Sequence, residues 1–272
     1  MGLSGLDKRS IEFRKKILRM VDRARRGHIG SAFSIVEITR VLYEEILRLD
    51  SANPLWEDRD RFILSKGHGC LALYVALAEK GLFPADQLAT ICEFDSMLGG
   101  HPQYGKVPGV EASTGSLGHG LSIGVGIALS GRIDRRDFKT FVLLGDGECN
   151  EGSVWEAAMC ASKHKLGRLV AMIDYNKMQC YGATCDVQEL EPFADKWRSF
   201  GFDVQETDGH DMAALRDMFA KIRFDSGRPK AIICHTVKGK GIRSLEGHAP
   251  SHHKSRISDK EMEALFEEAG RG

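Results

Sequence analysis

Short apolar segments, each followed by a helix-like segment, fill the second half of the chain. The runs KTFVLL, RLVAMIDYN and KAIICHTV are apolar along their length rather than at alternate positions. Strands of that kind are buried on both faces, which is typical of a parallel sheet covered by helices. With the further strand candidates DRFILSKGHG and FDVQET, they predict an α/β domain with a doubly wound, mainly parallel sheet.

Helical periodicity dominates the beginning of the chain. Residues 7–26 carry apolar side chains at helical spacing, and the pattern stops at Gly27. Residues 34–49 predict a second helix, with Ser34 as its N-cap and Glu37 completing a capping box. We expect a single domain over residues 1–272, with three parts. These are an N-terminal helical extension (1–58), an α/β core (59–257) and a C-terminal helix (258–272).

Two segments lie between the first predicted strand and the regular alternation of strands and helices that fills the second half of the chain. One is a candidate functional loop and the other is a candidate buried helix. Residues 95–118 are rich in Gly, Pro and Ser, and a loop of this length is usually functional or disordered. The segment GHGLSIGVGIALSGRI combines small and apolar residues throughout. We expect a buried helix there that another group approaches closely.

Composition excludes several classes of protein. Lys and Arg (38) balance Asp and Glu (38), so a polyanion-binding surface is not expected. No apolar run approaches the roughly 20 residues of a membrane helix, and the N-terminus lacks the apolar core of a secretory signal. The seven cysteines form no Cys-x-x-Cys pair. A reduced, cytoplasmic protein without a zinc site is therefore expected.

Two oxygen-bearing side chains follow two successive predicted strands. Asp146 lies between glycines after FVLL, and Asn176 follows the strand of RLVAMIDYN, one β-α-β unit later. Ligands of such sheets bind at the carboxyl ends of the strands. Carboxylate and amide oxygens suit Mg²⁺, which commonly takes phosphate oxygens as further ligands. Taken singly, Asp146 is a candidate N-cap and Asn176 a turn residue, but together they favour a magnesium diphosphate site.

Six motifs in this order resemble the transketolase family: RGHIGSAFSIVEI, RFILSKGHGCLALY, GGHPQ, STGSLGHGLSIGVGIAL, GDGECNEGSVWEA with the later IDYNK, and TVKGKG. The resemblance covers nearly the whole chain, and GDG followed by Asn is the family's thiamine-diphosphate motif. It implies a thiamine-diphosphate-binding domain of the diphosphate-binding (PP) type. The implied metal is Mg²⁺, for which Ca²⁺ or Mn²⁺ can substitute.

The resemblance also implies roles for particular residues. Asp146, Asn176 and the backbone carbonyl of Met178 would bind the metal, and the Gly147 N–H would contact the diphosphate. Gly115 and Leu117 would contact the aminopyrimidine, and Glu151 would join a carboxylate network across a subunit interface. The implied cofactor-binding residues are His68, Gly115, Ser116, Leu117, Gly145, Gly147, Glu148, Glu151, Asn176 and His252.

Four histidines gain catalytic roles from the same resemblance: His28, His68, His101 and His252. Transfer of a two-carbon ketol unit moves protons to and from oxygen near neutral pH, which suits imidazole. His28 would steer protons at the substrate, His68 would lie near the diphosphate and thiazolium, and His101 would hydrogen-bond the donor ketose. The segment GHAPSHHKS departs from the family's Trp-His-Gly, so the fourth position stays open between His248, His252 and His253. Other histidines, including His119 and His210, are assigned structural roles.

The chain resembles only the first domain of a full-length transketolase. The glutamate that activates the aminopyrimidine in this family belongs to the second, pyrimidine-binding domain, which no segment here resembles. The resemblance therefore implies a two-chain transketolase, with a C-terminal partner subunit in an α2β2 heterotetramer. The helix 117–131 and Glu151 would face that partner. The alternatives are a subunit of another thiamine-diphosphate enzyme (a deoxyxylulose-phosphate-synthase-like, acyloin-forming or 2-oxo acid decarboxylating one) and a non-enzymatic module.

Overall fold

Five parallel strands form the centre of the protein in the computed structural model, which describes residues 6–247 and 257–270. The strands lie in the order β1-β2-β3-β5-β4, and every neighbouring pair is parallel. They are β1 (Arg61–Leu64), β2 (Thr140–Gly145), β3 (Leu169–Tyr175), β4 (Asp203–Asp208) and β5 (Lys230–His235). All seven residues of β3 are buried, whereas β4, at the edge, is only partly buried. The predicted doubly wound parallel sheet is confirmed.

Helices connect the strands and cover both faces of the sheet. The α-helices of the described residues are α1 (Lys8–Ala24), α2 (Ile29–Phe33), α3 (Val36–Val41), α4 (Cys70–Glu79), α5 (Gly120–Ile133), α6 (Gly152–Lys163), α7 (Thr184–Val187), α8 (Phe193–Ser199), α9 (Met212–Ala220) and α10 (Asp259–Gly270). A π-helical turn, Leu42–Ile46, continues α3. Within the part of the chain that is described, no helix has the length and apolar character needed to cross a membrane.

Two apolar clusters lie on opposite faces of the sheet. One gathers side chains from α1 to α4, α9 and α10, and the other gathers those of α5, α6 and α8. Val142 and Ile173 point into the second cluster, while Phe141 and Met172, their neighbours in sequence, point into the first. Each central strand therefore contributes alternate side chains to two cores, which explains why it is apolar at every position.

The predicted capping box at Ser34 is wrong. Ser34 follows the short helix α2, and its Oγ donates to the Asp174 carboxylate at 2.7 Å instead of capping a helix. The Glu37 carboxylate accepts from Arg14 at 2.6 Å, so it does not reach back to the Ser34 N–H. Both polar side chains are buried, and long-range partners therefore outcompete the local cap pattern.

Helix α5 is buried on one face only, whereas its sequence predicts a buried helix that another group approaches closely. Leu121 and Val125 are buried, and a Cβ on Gly124 would collide with Val142 of β2, so one face packs closely on the sheet. The opposite face is open: Ile123 is 38% exposed and Ile133 is 71% exposed. The apolar character of α5 thus exceeds what this chain alone buries.

Candidate active site

A cavity of about 400 Å³ opens at the carboxyl ends of β2 and β3. Gly145 of β2 is in register with Asp174 of β3, so the residues that follow these two strands lie side by side. The predicted residues that line the cavity are His28, His68, His101, Gly115, Leu117, Gly145, Asp146, Gly147, Glu148, Glu151, Asn176 and Met178. The fold therefore brings together segments that are far apart in sequence.

The Asp146 carboxylate is buried without a cationic partner among the described residues. It is 2% exposed, and its oxygens accept the backbone N–H of Gly147 at 2.7 Å and of Lys177 at 2.5 Å. Burial, together with the nearby Asp174 carboxylate, raises the pKa of Asp146 to about 7. A buried acid with no charged partner is a natural ligand for a cation.

Asn176 and Met178 follow β3 and line the cavity beside Asp146, whose carboxylate accepts the N–H of Lys177 between them. The Asn176 Oδ1 accepts the Met178 N–H at 3.0 Å, and its Nδ2 donates to Asp174 at 2.8 Å. These two bonds fix which end of the amide carries the oxygen. Within the described residues no group of three or more His, Cys, Asp or Glu side chains could hold a metal. A metal at this cavity would instead have three different oxygen ligands: the Asp146 carboxylate, the Asn176 amide oxygen and the Met178 backbone carbonyl. Oxygen ligands of this kind suit a hard cation such as Mg²⁺.

Asp174 is a buried carboxylate that contacts Asn176 and several other polar side chains around it. It is fully buried and forms an ion pair with Lys66, and it accepts hydrogen bonds from Ser34, Asn176 and Thr236. Burial alone would raise the pKa of Asp174, but Lys66 holds it below its ordinary value. The carboxylate is therefore ionised and fixes the orientation of Asn176.

Glycines shape two walls of the cavity. Gly115 has φ of +146°, and a Cβ there would lie 2.9 Å from the His101 ring. A Cβ on Gly147 would lie 2.8 Å from Gln179 Cγ. Larger residues at either position would crowd the neighbouring side chain, so the glycines keep these walls open.

Glu148 and its neighbours hold the loop over the cavity. The buried Glu148 carboxylate accepts the N–H of Gly118 at 2.9 Å and of Gly145 at 3.0 Å, and it also accepts from Ser65. Burial raises its pKa. Glu151 is exposed at the cavity edge, while Ser116 is exposed and outside the lining. Glu148 thus ties the loop before α5 to the end of β2.

Three of the predicted histidines form one cluster. The ring centroids of His28 and His68 are 5.5 Å apart, and those of His28 and His101 are 6.1 Å apart. The same three rings also line a second cavity of about 460 Å³, so they form the boundary between two chambers. Burial lowers the pKa of His101, which keeps its imidazole neutral at pH 7. His248, His252 and His253 lie outside the described residues.

Sequence reasoning missed two lysines and one aspartate of this site. Lys66, Asp174 and Lys238 are buried, and both lysines line the cavity. All three lie inside the quoted motifs SKGHG, IDYNK and TVKGKG, which was the available signal. Burial, and secondarily Lys66, lowers the pKa of Lys238 to about 8.

The all-parallel sheet with a cavity at the carboxyl ends of β2 and β3, lined by Asp146 and Asn176, places the protein among α/β domains that bind their ligand at this edge of the sheet. The family model for the thiamine diphosphate binding domain of transketolase matches residues 7–271. The chain belongs to the transketolase family, the family of transferases that the sequence resembles.

Two relatives of similar length are named as transketolase subunits. The chain is 43% identical to an apulose-4-phosphate transketolase subunit of Phocaeicola vulgatus, over 98% of this chain and 95% of the relative. It is 42% identical to the 6-deoxy-6-sulfo-D-fructose transketolase subunit SqwG of a Clostridium species, over 88% of this chain and 87% of the relative. Its length therefore matches that of separate transketolase subunits.

Solved transketolases share the fold along nearly the whole chain. The Campylobacter jejuni enzyme matches with a TM-score of 0.86 at 29% identity, and the Leishmania mexicana enzyme with 0.84 at 27%. The matches cover 97% and 96% of this chain, but 43% and 44% of those chains. The chain therefore spans less than half the length of these solved transketolases.

Proposed function

We propose that this chain is the N-terminal subunit of a two-chain, thiamine-diphosphate-dependent transketolase. The complex would transfer a two-carbon ketol unit from a ketose or ketose phosphate to an aldose or aldehyde. The observation that carries the proposal is the convergence of the buried Asp146, Asn176 and the histidine cluster on one cavity. The names of the two relatives support a split enzyme.

The residues present fit a magnesium diphosphate. Asp146 is a buried acid without a cationic partner among the described residues, and Asn176 is oriented by Asp174. With the Met178 carbonyl, these groups would hold Mg²⁺, or Ca²⁺ or Mn²⁺ in its place. The Gly147 N–H would face the diphosphate, and Gly115 and Leu117 the aminopyrimidine.

The histidine cluster would do the acid–base work. Bound thiamine diphosphate supplies the carbanion chemistry that breaks and forms the carbon–carbon bond. His101, neutral at pH 7, would hydrogen-bond the donor sugar, and His28 would hold or release a proton at its carbonyl or hydroxyl oxygen. His68 would lie between them and the diphosphate. The presence of two neighbouring cavities supports these separate roles for the three histidines. The second cavity leaves room for a sugar beside the same three rings.

The open face of α5 would meet the partner subunit. Ile123 and Ile133 are exposed, a Cβ on Gly126 would meet nothing within 4 Å, and Met159 of α6 is 54% exposed. Exposed apolar surface of this kind is typical of interaction sites. We infer a pyrimidine-domain chain as the partner, an α2β2 heterotetramer as the assembly and the cytoplasm as its location.

The test mixes the purified chain with a purified pyrimidine-domain chain from the same organism. Thiamine diphosphate, Mg²⁺ and a panel of neutral, phosphorylated and sulfonated ketoses are added, and transfer to an aldehyde acceptor is followed. Each chain alone is expected to be inactive and the mixture active. Activity of the isolated chain, or cofactor-dependent decarboxylation of a 2-oxo acid without ketol transfer, would contradict the proposal.

A further inference from the structure

The second cavity carries two cationic side chains that do not line the cofactor cavity. Its volume is about 460 Å³, and the rings of His28, His68 and His101 form its boundary with the cofactor cavity. Arg26 and Lys106 line the second cavity only, and both side chains are exposed. Two positive charges therefore lie beyond the histidines, on the side away from the cofactor cavity.

Neither cation is neutralised within the part of the chain that the structure describes. The side chains of Arg26 and Lys106 form no hydrogen bond or ion pair with the described residues. The neighbouring Arg25, by contrast, pairs with Asp22 at 3.2 Å and with Asp259 at 2.7 Å. The charges of Arg26 and Lys106 are thus available to an anion that enters the cavity.

The backbone beside Arg26 is fixed against helix α4. A Cβ on Gly27, which has φ of +149°, would lie 3.2 Å from Leu71 Cδ1, so the chain passes close to that helix. His28 follows directly. Because a residue of extended chain spans at most about 3.6 Å, the Cα atoms of Arg26 and His28 are at most about 7 Å apart. The arginine is therefore placed next to a histidine of the cluster.

Lys106 lies on the loop that also carries His101. The Lys106 N–H donates to the Gln103 carbonyl at 3.3 Å, and the Val107 N–H donates to the same carbonyl at 3.2 Å. The buried Val107 side chain packs into the apolar cluster that contains α1 and α4. The turn that carries Lys106 is thus held in place, and the lysine side chain extends from it to the cavity.

The rest of the lining favours a small ligand with one negatively charged end. Cys70, Leu71 and Ile91 are buried and form an apolar part of the lining. Glu93 is the single carboxylate among the lining residues, so the two cations leave the cavity with a positive formal charge. A cleft with an excess of positive charge raises the local concentration of anions.

We propose that Arg26 and Lys106 bind the anionic group at the far end of the sugar substrate, a phosphate or a sulfonate, while the histidines contact its carbonyl end. The proposal rests on the proposed function and names the substrate class, ketoses with a terminal anionic group. Arginine forms paired hydrogen bonds with the oxygens of such a group, and lysine adds a second point charge. This subunit therefore selects the substrate in addition to holding the cofactor.

The test compares Arg26→Gln, Lys106→Gln and the double variant with Arg23→Gln in the two-chain complex, loaded with thiamine diphosphate and Mg²⁺. Arg23, on the last turn of α1, is the matched control, because it is also exposed but does not line the cavity. The charged donors are D-xylulose 5-phosphate and 6-deoxy-6-sulfo-D-fructose, and the neutral donors are D-xylulose and D-fructose. The ratio kcat/KM is measured for each donor with glycolaldehyde as a neutral acceptor.

The double variant is expected to lose roughly 10- to 100-fold in kcat/KM for the charged donors, as for lost charged hydrogen bonds, and to keep its values for the neutral donors. Each single variant should show part of this loss, and Arg23→Gln none. Glu93→Gln should raise kcat/KM for the charged donors, because it removes the opposing carboxylate. A loss confined to the phosphate or to the sulfonate would assign the site to that anion. Unchanged values in the double variant, or equal losses for charged and neutral donors, would overturn the proposal.

A second measurement needs no partner chain. In an NMR titration of the full chain, the Arg26 Nε–H signal is identified by its absence from Arg26→Gln. It should shift with D-xylulose 5-phosphate and not with D-xylulose. Equal shifts with both sugars, or no shift with the phosphate, would overturn the proposal. Absence of ketol transfer by the wild-type complex with every donor would instead overturn the proposed function, and the titration then tests the anion site by itself.

Discussion

Replacement of Arg14 by Met tests whether the buried ion pair between Arg14 of α1 and Glu37 of α3 is as strong as its geometry indicates. Arg14 and Glu37 are each 1% exposed, and two N–H···O bonds join them at 2.6 and 2.9 Å. Arg14 also donates to the carbonyls of Phe33 at 3.0 Å and Lys240 at 2.7 Å. The substitution removes the arginine donors from these two carbonyls and from the buried carboxylate, which keeps only the His210 Nδ1 contact at 2.8 Å.

The expected loss is about 3–5 kcal/mol of unfolding free energy, the usual cost of a broken buried pair. A domain has about 5–15 kcal/mol in total, so the variant should fold but be marginal. Adding Glu37→Leu removes the unpaired charge and should recover part of the loss. Arg9→Met is the matched control on the same helix. Arg9 pairs with Glu44 at 2.8 Å but is 59% exposed, so its loss should stay below about 1 kcal/mol.

Urea unfolding at pH 7 measures these differences. Equal losses for Arg14→Met and Arg9→Met would refute the reasoning, because the buried pair with its carbonyl contacts should cost far more to break than the exposed pair. The pH dependence provides a second readout. Burial would raise the pKa of Glu37, but Arg14 and His210 hold it well below the ordinary 4.5.

The sign of the pH effect follows from this shift. The pKa of Glu37 is lower in the folded chain, so its stabilisation is complete above pH 4.5 and is lost as the pH falls below that value. The wild type should therefore lose stability more steeply in acid than the double variant, by at most about 1.4 kcal/mol per pH unit. Parallel pH profiles would contradict the assignment.

Three further predictions concern the site and the interface. Asp146→Ala should abolish Mg²⁺-dependent binding of thiamine diphosphate in calorimetry, because it removes the buried carboxylate that we propose as a metal ligand; unchanged affinity would contradict the metal assignment. His101→Ala should raise the KM for the donor ketose in the two-chain complex well above any change in cofactor affinity, and the reverse pattern would show that the role is wrong. Ile123→Glu should leave the melting temperature of the isolated chain unchanged and prevent assembly with the partner in size-exclusion chromatography; an intact complex would place the partner elsewhere.

The positions of strands and of candidate site residues were predictable where the local sequence pattern is compatible with a single structure. The runs around FVLL and LVAMI could only be strands buried on both faces, and Asp146 and Asn176 follow them directly. The strand β4 and the first helix were likewise found from local pattern. The capping box failed because Ser34 and Glu37 have two possible sets of partners, and only the packed chain selects between them.

Sequence by itself determined the parallel sheet, the family and the residues that follow the strand ends, because hydrophobic period and motif order are local properties of the chain. Tertiary structure alone decided the partners of buried charges. Lys66 is paired with Asp174, whereas Lys238 has no carboxylate partner among the described residues and faces the cavity. Both are lysines within glycine-containing motifs, and the difference between them depends on which groups from distant segments share the same low-dielectric space.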